Sequence, residues 1–171
     1  MLLCQLLCDA PFIQGSFDPV TNGHLDIIER SCRLFDEVVI ALLVNSGKTP
    51  LFALEERLEM LRAVAQKFNA GASRVRVDTF QGLLANYARA QEAVAIVRGL
   101  RAVADYEYEL PMAQMNRHLE PRLETVFLVS AAENSYVSSR LVKEVCQLGG
   151  DINEFVPPLV AARMREKFKI I

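Results

Sequence analysis

Glu37-Val38-Val39-Ile40-Ala41-Leu42-Leu43-Val44 is a nearly unbroken apolar run rich in β-branched residues. A strand with one wet face alternates apolar and polar side chains. A run this continuous belongs to a strand covered on both faces, as in a parallel sheet with helices above and below. Ala93-Val94-Ala95-Ile96-Val97 is a second segment of the same kind, and Thr125 to Val129 a third. Arg74 to Phe80 alternates and reads as a further strand. Residues 6–14 complete the set, with Pro11 expected to confine that part to an edge or irregular position, because proline cannot donate to a ladder.

Helical patterns fill the intervals. Leu25, Ile28, Cys32 and Phe35 fall at helical spacing over residues 22–35. Leu54, Leu58, Leu61, Ala65 and Phe68 form one apolar stripe. Ala53 stands at the capping position of that helix, where it costs about 1 kcal/mol relative to Thr; Glu56 in the first turn offsets part of this through the helix dipole. Gly82 opens a short helix through Leu83, Leu84 and Tyr87. A longer helix is expected from Val103 to His118, kinked near Glu107 because Pro111 removes a backbone hydrogen bond. Ser138 to Leu148 is closed by Gly149-Gly150, and Pro157-Pro158 open a final helix. Strands alternating with helices define an α/β fold: a doubly wound, parallel five-stranded sheet with helices on both faces, Rossmann-like, forming a single domain over residues 1–171.

Composition excludes several functions. The net charge of −2 gives no sign of a nucleic-acid surface, and no run of like charges suggests a tail. Val38 to Val44 is far too short to span a membrane. No Lys or Arg precedes Arg30, so the basic n-region of a secretory leader is not seen and a cytoplasmic protein is expected. Cys4 and Cys8 have a loosely metal-like spacing, but no second Cys/His pair completes a site; with Cys32 and Cys146 they read as free thiols.

Sheets of this kind bind ligands beyond the carboxyl ends of their strands. Chemistry-bearing residues collect there: Ser16 to His24 after the first strand, Lys48 after the second, Arg98 to Arg101 after the fourth, Asn134 to Arg140 after the fifth. Singly, each has a plainer explanation. His24 fits a helix cap, Lys48 a solvated loop lysine, Gly23 close helix packing and Ser138-Ser139 an N-cap. Together they supply positive donors, hydroxyls and two anion-attracting helix starts, without paired carboxylates or a metal cluster. Phosphoryl or nucleotidyl transfer, which runs on positioning and charge stabilisation, suits such a set.

Gly15-Ser16-Phe17-Asp18-Pro19 with Thr21-Asn22-Gly23-His24 resembles the [TH]-x-G-H signature of the nucleotidyltransferase superfamily, and Val137-Ser138-Ser139-Arg140 its I-S-S-x signature. Arg98-Gly99-Leu100-Arg101 through Glu109, with Met115-Asn116-Arg117, resembles the phosphopantetheine adenylyltransferase family in particular, over about Gly15 to Phe168. The resemblance implies transfer of AMP from ATP to 4′-phosphopantetheine with Mg²⁺, giving dephospho-coenzyme A and pyrophosphate in coenzyme A biosynthesis. By position it implies catalytic roles for His24, Lys48 and Arg101. ATP would be bound by Ser16, Phe17, His24, Gly99, Leu100, Arg101, Glu109, Asn134, Ser135, Tyr136, Val137, Ser138, Ser139 and Arg140, and the acceptor by Ser16, Lys48, Leu84 and Arg98. It also implies a homohexamer and inhibition by coenzyme A. Ile13-Gln14 stand where the family usually has Tyr-Pro, Asn134 where an aromatic is common, and Arg140 where Ser or Thr is frequent. A sister transferase using nicotinate mononucleotide or a cytidylyl donor, and a non-catalytic nucleotide-binding module, are the competing readings; the Arg-Gly-Leu-Arg block and the intact charge-stabilising residues argue against them.

Overall fold

A computed structural model describes residues 10–44, 49–69 and 74–170. Lys48, Cys4, Cys8 and residues 6–9 of the expected first strand lie outside the described residues. Strands β1 (Phe12–Gly15), β2 (Glu37–Leu43), β3 (Arg74–Phe80), β4 (Ala95–Leu100) and β5 (Glu124–Val129) form one sheet in the order β3-β2-β1-β4-β5. Every pairing is parallel. Helices α1 (Asn22–Cys32), α2 (Leu54–Ala65), α3 (Leu84–Ala90), α4 (Val103–Leu119), α5 (Ser139–Gln147) and α6 (Pro158–Phe168) cover it.

The continuous apolar run does what its pattern requires. Along β2, Val38, Ile40 and Leu42 turn to one face and pack in a cluster with Ile28 of α1, Leu61 of α2, Val142 of α5 and Met164 of α6. Val39 and Ala41 turn to the other, where they meet Phe12, Ile96 and Ala88 of α3. The same alternation on β5 puts Val126 and Leu128 on the first face, while Phe127 meets Tyr106 of α4 edge-on at 5.8 Å. Each fully buried side chain of this size contributes about 1.5–3 kcal/mol.

The first strand is only four residues long and central, flanked by β2 and β4, and of the two places open to Pro11 the structure takes the irregular one rather than an edge. Pro11 stands just before it, and its carbonyl accepts from the Val39 N–H at 3.0 Å. A proline lacks a donor but keeps its acceptor, so it fits where only the carbonyl is used. β4 runs further than expected, pairing Arg98, Gly99 and Leu100 with Phe127, Leu128 and Val129. α1 ends at Cys32, with Phe35 packing on the core from the following turn. α4 stays helical through Pro111 to Leu119. Ala53 has no capping side chain, but its N–H donates to the Glu56 carboxylate at 2.7 Å, half of a capping box.

Gly99 is where α1 closes on the sheet: a Cβ there would stand 2.9 Å from Cγ1 of Ile27. Gly99→Ala therefore forces α1 outward. It should lower stability by about 1–3 kcal/mol in urea denaturation; an unchanged midpoint would show that the helix yields freely.

Candidate active site

The chain leaves β1 toward β2 and leaves β4 toward β5, in opposite directions, so the carboxyl ends of β1 and β4 border an open crevice. A cleft of about 680 Å³ occupies it, walled by the β1–α1 loop, the start of α1, the end of β4, α4 and the start of α5.

The β1–α1 loop is built to a fixed shape. A Cβ on Gly15 would meet the Phe17 ring at 3.1 Å, so glycine lets that ring fold back beneath the strand end. Phe17 is fully buried, at φ +44°, and meets the His24 ring edge-on at 5.0 Å. Asp18 accepts from the N–H groups of Leu51 and Phe52, each at 3.0 Å, and from Lys143 Nζ at 2.7 Å. Burial works against its charge, yet Lys143 and the two backbone donors hold its carboxyl below the usual carboxylate range.

His24 occupies the third position of α1 and reaches back to the capping residue. The Thr21 N–H donates to Nδ1 at 3.0 Å, and the Thr21 hydroxyl lies 2.9 Å from the same nitrogen. This is the capping-box geometry with histidine in place of Glu or Gln. A backbone N–H can only donate, so Nδ1 is an acceptor and the neutral ring carries its proton on Nε2. Burial, then the charges of Arg101 and Arg98, push the His24 pKa down to about 4. The residue borders the cleft as a neutral N–H donor, not as an imidazolium. Of the helix-start donors, the Asn22 N–H is already taken by the Phe155 carbonyl at 2.8 Å. A Cβ on Gly23 would meet only ordinary contacts, the nearest at 3.6 Å; helix packing does not demand a glycine there, and its open side is the cleft.

Both arginines are held in place. Arg98 Nε donates to Glu109 at 2.8 Å, its second terminal nitrogen pairs with the other Glu109 oxygen, and Nη1 donates to the Gln14 carbonyl at 2.7 Å and the Gln14 side chain at 3.0 Å. Arg101 pairs with Asp105 through Nε and Nη2, each at 3.0 Å, and reaches the Val137 carbonyl at 3.2 Å. Those bonds hold Asp105 below the usual carboxylate range, against its burial. Opposite them the wall is apolar: Tyr108, Met112, Met115 and Leu119 follow one face of α4, beside Leu83 and Leu84. No residue of α4 is buried.

Ser16, His24, Leu84, Arg98, Gly99, Arg101, Glu109, Val137, Ser138 and Ser139 thus meet around one space. Ser138 caps α5 by accepting from the Leu141 N–H at 3.1 Å, and the Ser139 hydroxyl donates to the Pro19 carbonyl at 2.7 Å, joining the two signatures. The Phe17 ring lies under the loop rather than on the cleft surface, and Leu100, Asn134, Ser135, Tyr136 and Arg140 do not line it; Arg140 is exposed. Sequence reasoning passed over the Gln14 clamp on Arg98, the Asp105 partner of Arg101 and the Met112 wall. Only the i, i+4 spacing of Arg101 and Asp105 carried a signal.

His24 links pH to stability. Between its folded pKa of about 4 and the ordinary 6.5, the unfolded chain binds a proton that the folded chain does not. Its contribution is whole above about pH 6.5 and is lost as pH falls toward 4. His24→Gln keeps an acceptor for Thr21 and should flatten that part of the Tm-against-pH profile; an unchanged slope would contradict the neutral ring.

The cytidylyltransferase-like family model matches residues 12–145. The chain is 53% identical over 154 residues to the phosphopantetheine adenylyltransferase of Desulforudis audaxviator, covering 90% of this chain and 92% of that one. To the phosphopantetheine adenylyltransferase of Heliobacterium modesticaldum it is 49% identical over 154 residues, covering 90% and 89%. Among solved structures, a bifunctional NMN adenylyltransferase/ADP ribose pyrophosphatase from Francisella tularensis superposes with a TM-score of 0.71 at 12% identity, over 95% of this chain. The chain spans about half of that larger protein, 52%. Plasmodium falciparum nicotinic acid mononucleotide adenylyltransferase superposes with a TM-score of 0.65 at 12% identity, over 94% and 96% of the two chains. At such identity the structures speak for the fold alone. Sharing about half its residues with its relatives along nine-tenths of its length, the chain belongs to the phosphopantetheine adenylyltransferase family of nucleotidyltransferases.

Proposed function

We propose that this protein transfers the adenylyl group of ATP to the phosphate of 4′-phosphopantetheine, giving dephospho-coenzyme A and pyrophosphate. The observation that carries the reading is the two-sided cleft. One side offers His24, Arg98, Arg101 and Ser139, and the other a strip of Tyr108, Met112, Met115 and Leu119. A long acceptor with an anionic end and a thin, largely apolar arm matches both sides; a mononucleotide acceptor has no arm for the methionine strip.

The acceptor phosphate is ionised at neutral pH, so the reaction needs no base. One of its oxygens attacks the α-phosphorus of ATP as the bond from that phosphorus to the β-phosphate oxygen breaks, and pyrophosphate carries off the electron pair. The Nε2–H of neutral His24 serves as donor to the α-phosphate oxygens as their charge redistributes, with Arg101 beside it. In a water-poor cleft one such donor is worth about 3–4 kcal/mol. Ser16, Phe17, Gly99, Leu100 and Glu109, with the segment from Asn134 to Arg140, hold ATP in this reading, and Lys48, Leu84 and Arg98 the acceptor. Among the described residues no cluster of His, Cys, Asp or Glu could hold a metal ion, and Asp105 and Glu109 are engaged by arginines. The donor set fits Mg²⁺ arriving on the phosphate oxygens of ATP, as part of the substrate. Coenzyme A contains the phosphopantetheine moiety and would compete for the same cleft. No described helix is long and apolar enough to cross a membrane; a cytoplasmic homohexamer belongs to the same reading.

Incubation with ATP, Mg²⁺ and, separately, 4′-phosphopantetheine or nicotinate mononucleotide, with products identified by mass, tests the acceptor. Dephospho-coenzyme A is the expected product; ATP binding without product would favour a nucleotide-binding module. His24→Ala should lower kcat by about 10²–10³ while the protein stays folded, and turnover within a few-fold of the parent would remove His24 from the chemistry. Sedimentation of the intact chain should give the mass of six copies; a monomer would overturn the hexamer.

A further inference from the structure

We propose that Arg57 is a positioning residue for adenylyl transfer: from α2 it grips the Ser16 carbonyl and thereby orients the Ser16–Phe17 peptide, whose N–H is presented to the transferring phosphate. The proposal rests on the adenylyl-transfer reading above and adds to it a residue outside the cleft.

Arg57 is only 6% exposed. Its Nη1 donates to the Ser16 carbonyl at 3.0 Å, and its Nε is buried without any hydrogen-bond partner. Among the described residues it makes no ion pair. A buried cation without a counter-charge is one of the costlier groups a core can hold, and an apolar side chain of similar volume is often as stable or more so. Stability alone therefore gives no reason for a guanidinium here. What it supplies is direction, through its bond to the Ser16 carbonyl.

That bond fixes a peptide plane. The Ser16–Phe17 bond is trans, the cis bond of this loop being Asp18–Pro19. In a trans peptide the carbonyl and the N–H point opposite ways, so a Ser16 carbonyl held against α2 sends the Phe17 N–H away from α2. Ser16 lines the cleft and Arg57 does not. The Phe17 N–H makes no hydrogen bond to another described residue. Phe17 also sits at φ +44°, a conformation that an L-residue holds only where its surroundings over-determine it. The buried ring, packed on His24, holds one end of that conformation; Arg57 holds the other. A backbone N–H kept in one orientation before substrate arrives needs no reorganisation during the reaction.

The test compares the parent chain with Arg57→Met, which keeps volume and removes every donor, and Arg57→Lys, which keeps the charge and a donor. Steady-state kinetics, calorimetric affinity for a non-hydrolysable ATP analogue, and Tm are measured for each. Arg57→Met is expected to keep a parent-like Tm. It should lose about 10²-fold in kcat with KM for 4′-phosphopantetheine within about 2-fold, and bind the analogue about 10-fold more weakly. Arg57→Lys should recover part of both losses. Parent-like kcat and analogue affinity in folded Arg57→Met would overturn the proposal. So would losses that only track the folded fraction. Should Arg57→Met fail to fold, Arg57→Lys decides: parent-like kcat and affinity in a folded lysine variant with a lowered Tm would mean a purely structural arginine. A parent chain that makes no dephospho-coenzyme A would sink the reading of the reaction, and the analogue-binding comparison would then decide Arg57 by itself.

Discussion

The carboxylate of Asp18 holds the site together. It gathers two N–H groups from the segment before α2 and the ammonium of Lys143 from α5 onto the loop that leaves β1. Hydrogen bonds to a charged group contribute about 1.5–3 kcal/mol each when well made, and these three join stretches far apart in sequence. Neighbouring bonds reinforce the same junction. The Ser139 hydroxyl binds the Pro19 carbonyl, and the Asn22 N–H and side chain bind the carbonyls of Phe155 and Glu154. The loop between β1 and α1 is therefore fixed from both sides. A site whose work is to aim donors at a phosphate depends on that rigidity.

Electrostatics follow the same rule. Arg98 and Arg101 do not hang free in the cleft; Glu109 and Asp105 hold each guanidinium by two nitrogens. Their positive field, together with burial, keeps His24 neutral. Since Nδ1 is committed to Thr21, the ring has a single orientation for its remaining N–H. A neutral donor beside two held cations suits a reaction whose nucleophile arrives ionised, because nothing in the site must first lose a proton.

Much of this was legible in the residues. The apolar run from Val38 to Val44 could only be a strand covered on both faces, and the helices fell within a few residues of their expected ends. The convergence of His24, Arg98, Arg101 and Ser138-Ser139 on one sheet edge was readable because parallel sheets expose their carboxyl ends in common. Three features were not. Pro11 left both an edge and an irregular position open, and the choice between them waits on strand order, which distant segments set. The end of β4 was set too early because Arg98, a charge, interrupts the apolar run; the sheet tolerates it since Glu109 and Gln14 satisfy it. The burial of the Phe17 ring was not readable from its own segment, because it depends on the space that Gly15 opens. Asp18 and Arg57 carried no periodic signal, because their partners lie outside their own segments.

By itself, then, the sequence determined the local and the periodic: which stretches are strands or helices, that the strands are parallel and doubly covered, and that a helix begins near Asn22 with a histidine in its first turn. Those properties depend on neighbours within a turn or a pleat. The tertiary structure alone decided that β1 sits between β2 and β4, that Arg98 is held by Gln14 and Glu109, and that a buried arginine of α2 ends on Ser16. Strand order and charge pairing are set by which distant segments share a volume. A buried charge finds its partner only after the chain has closed around it.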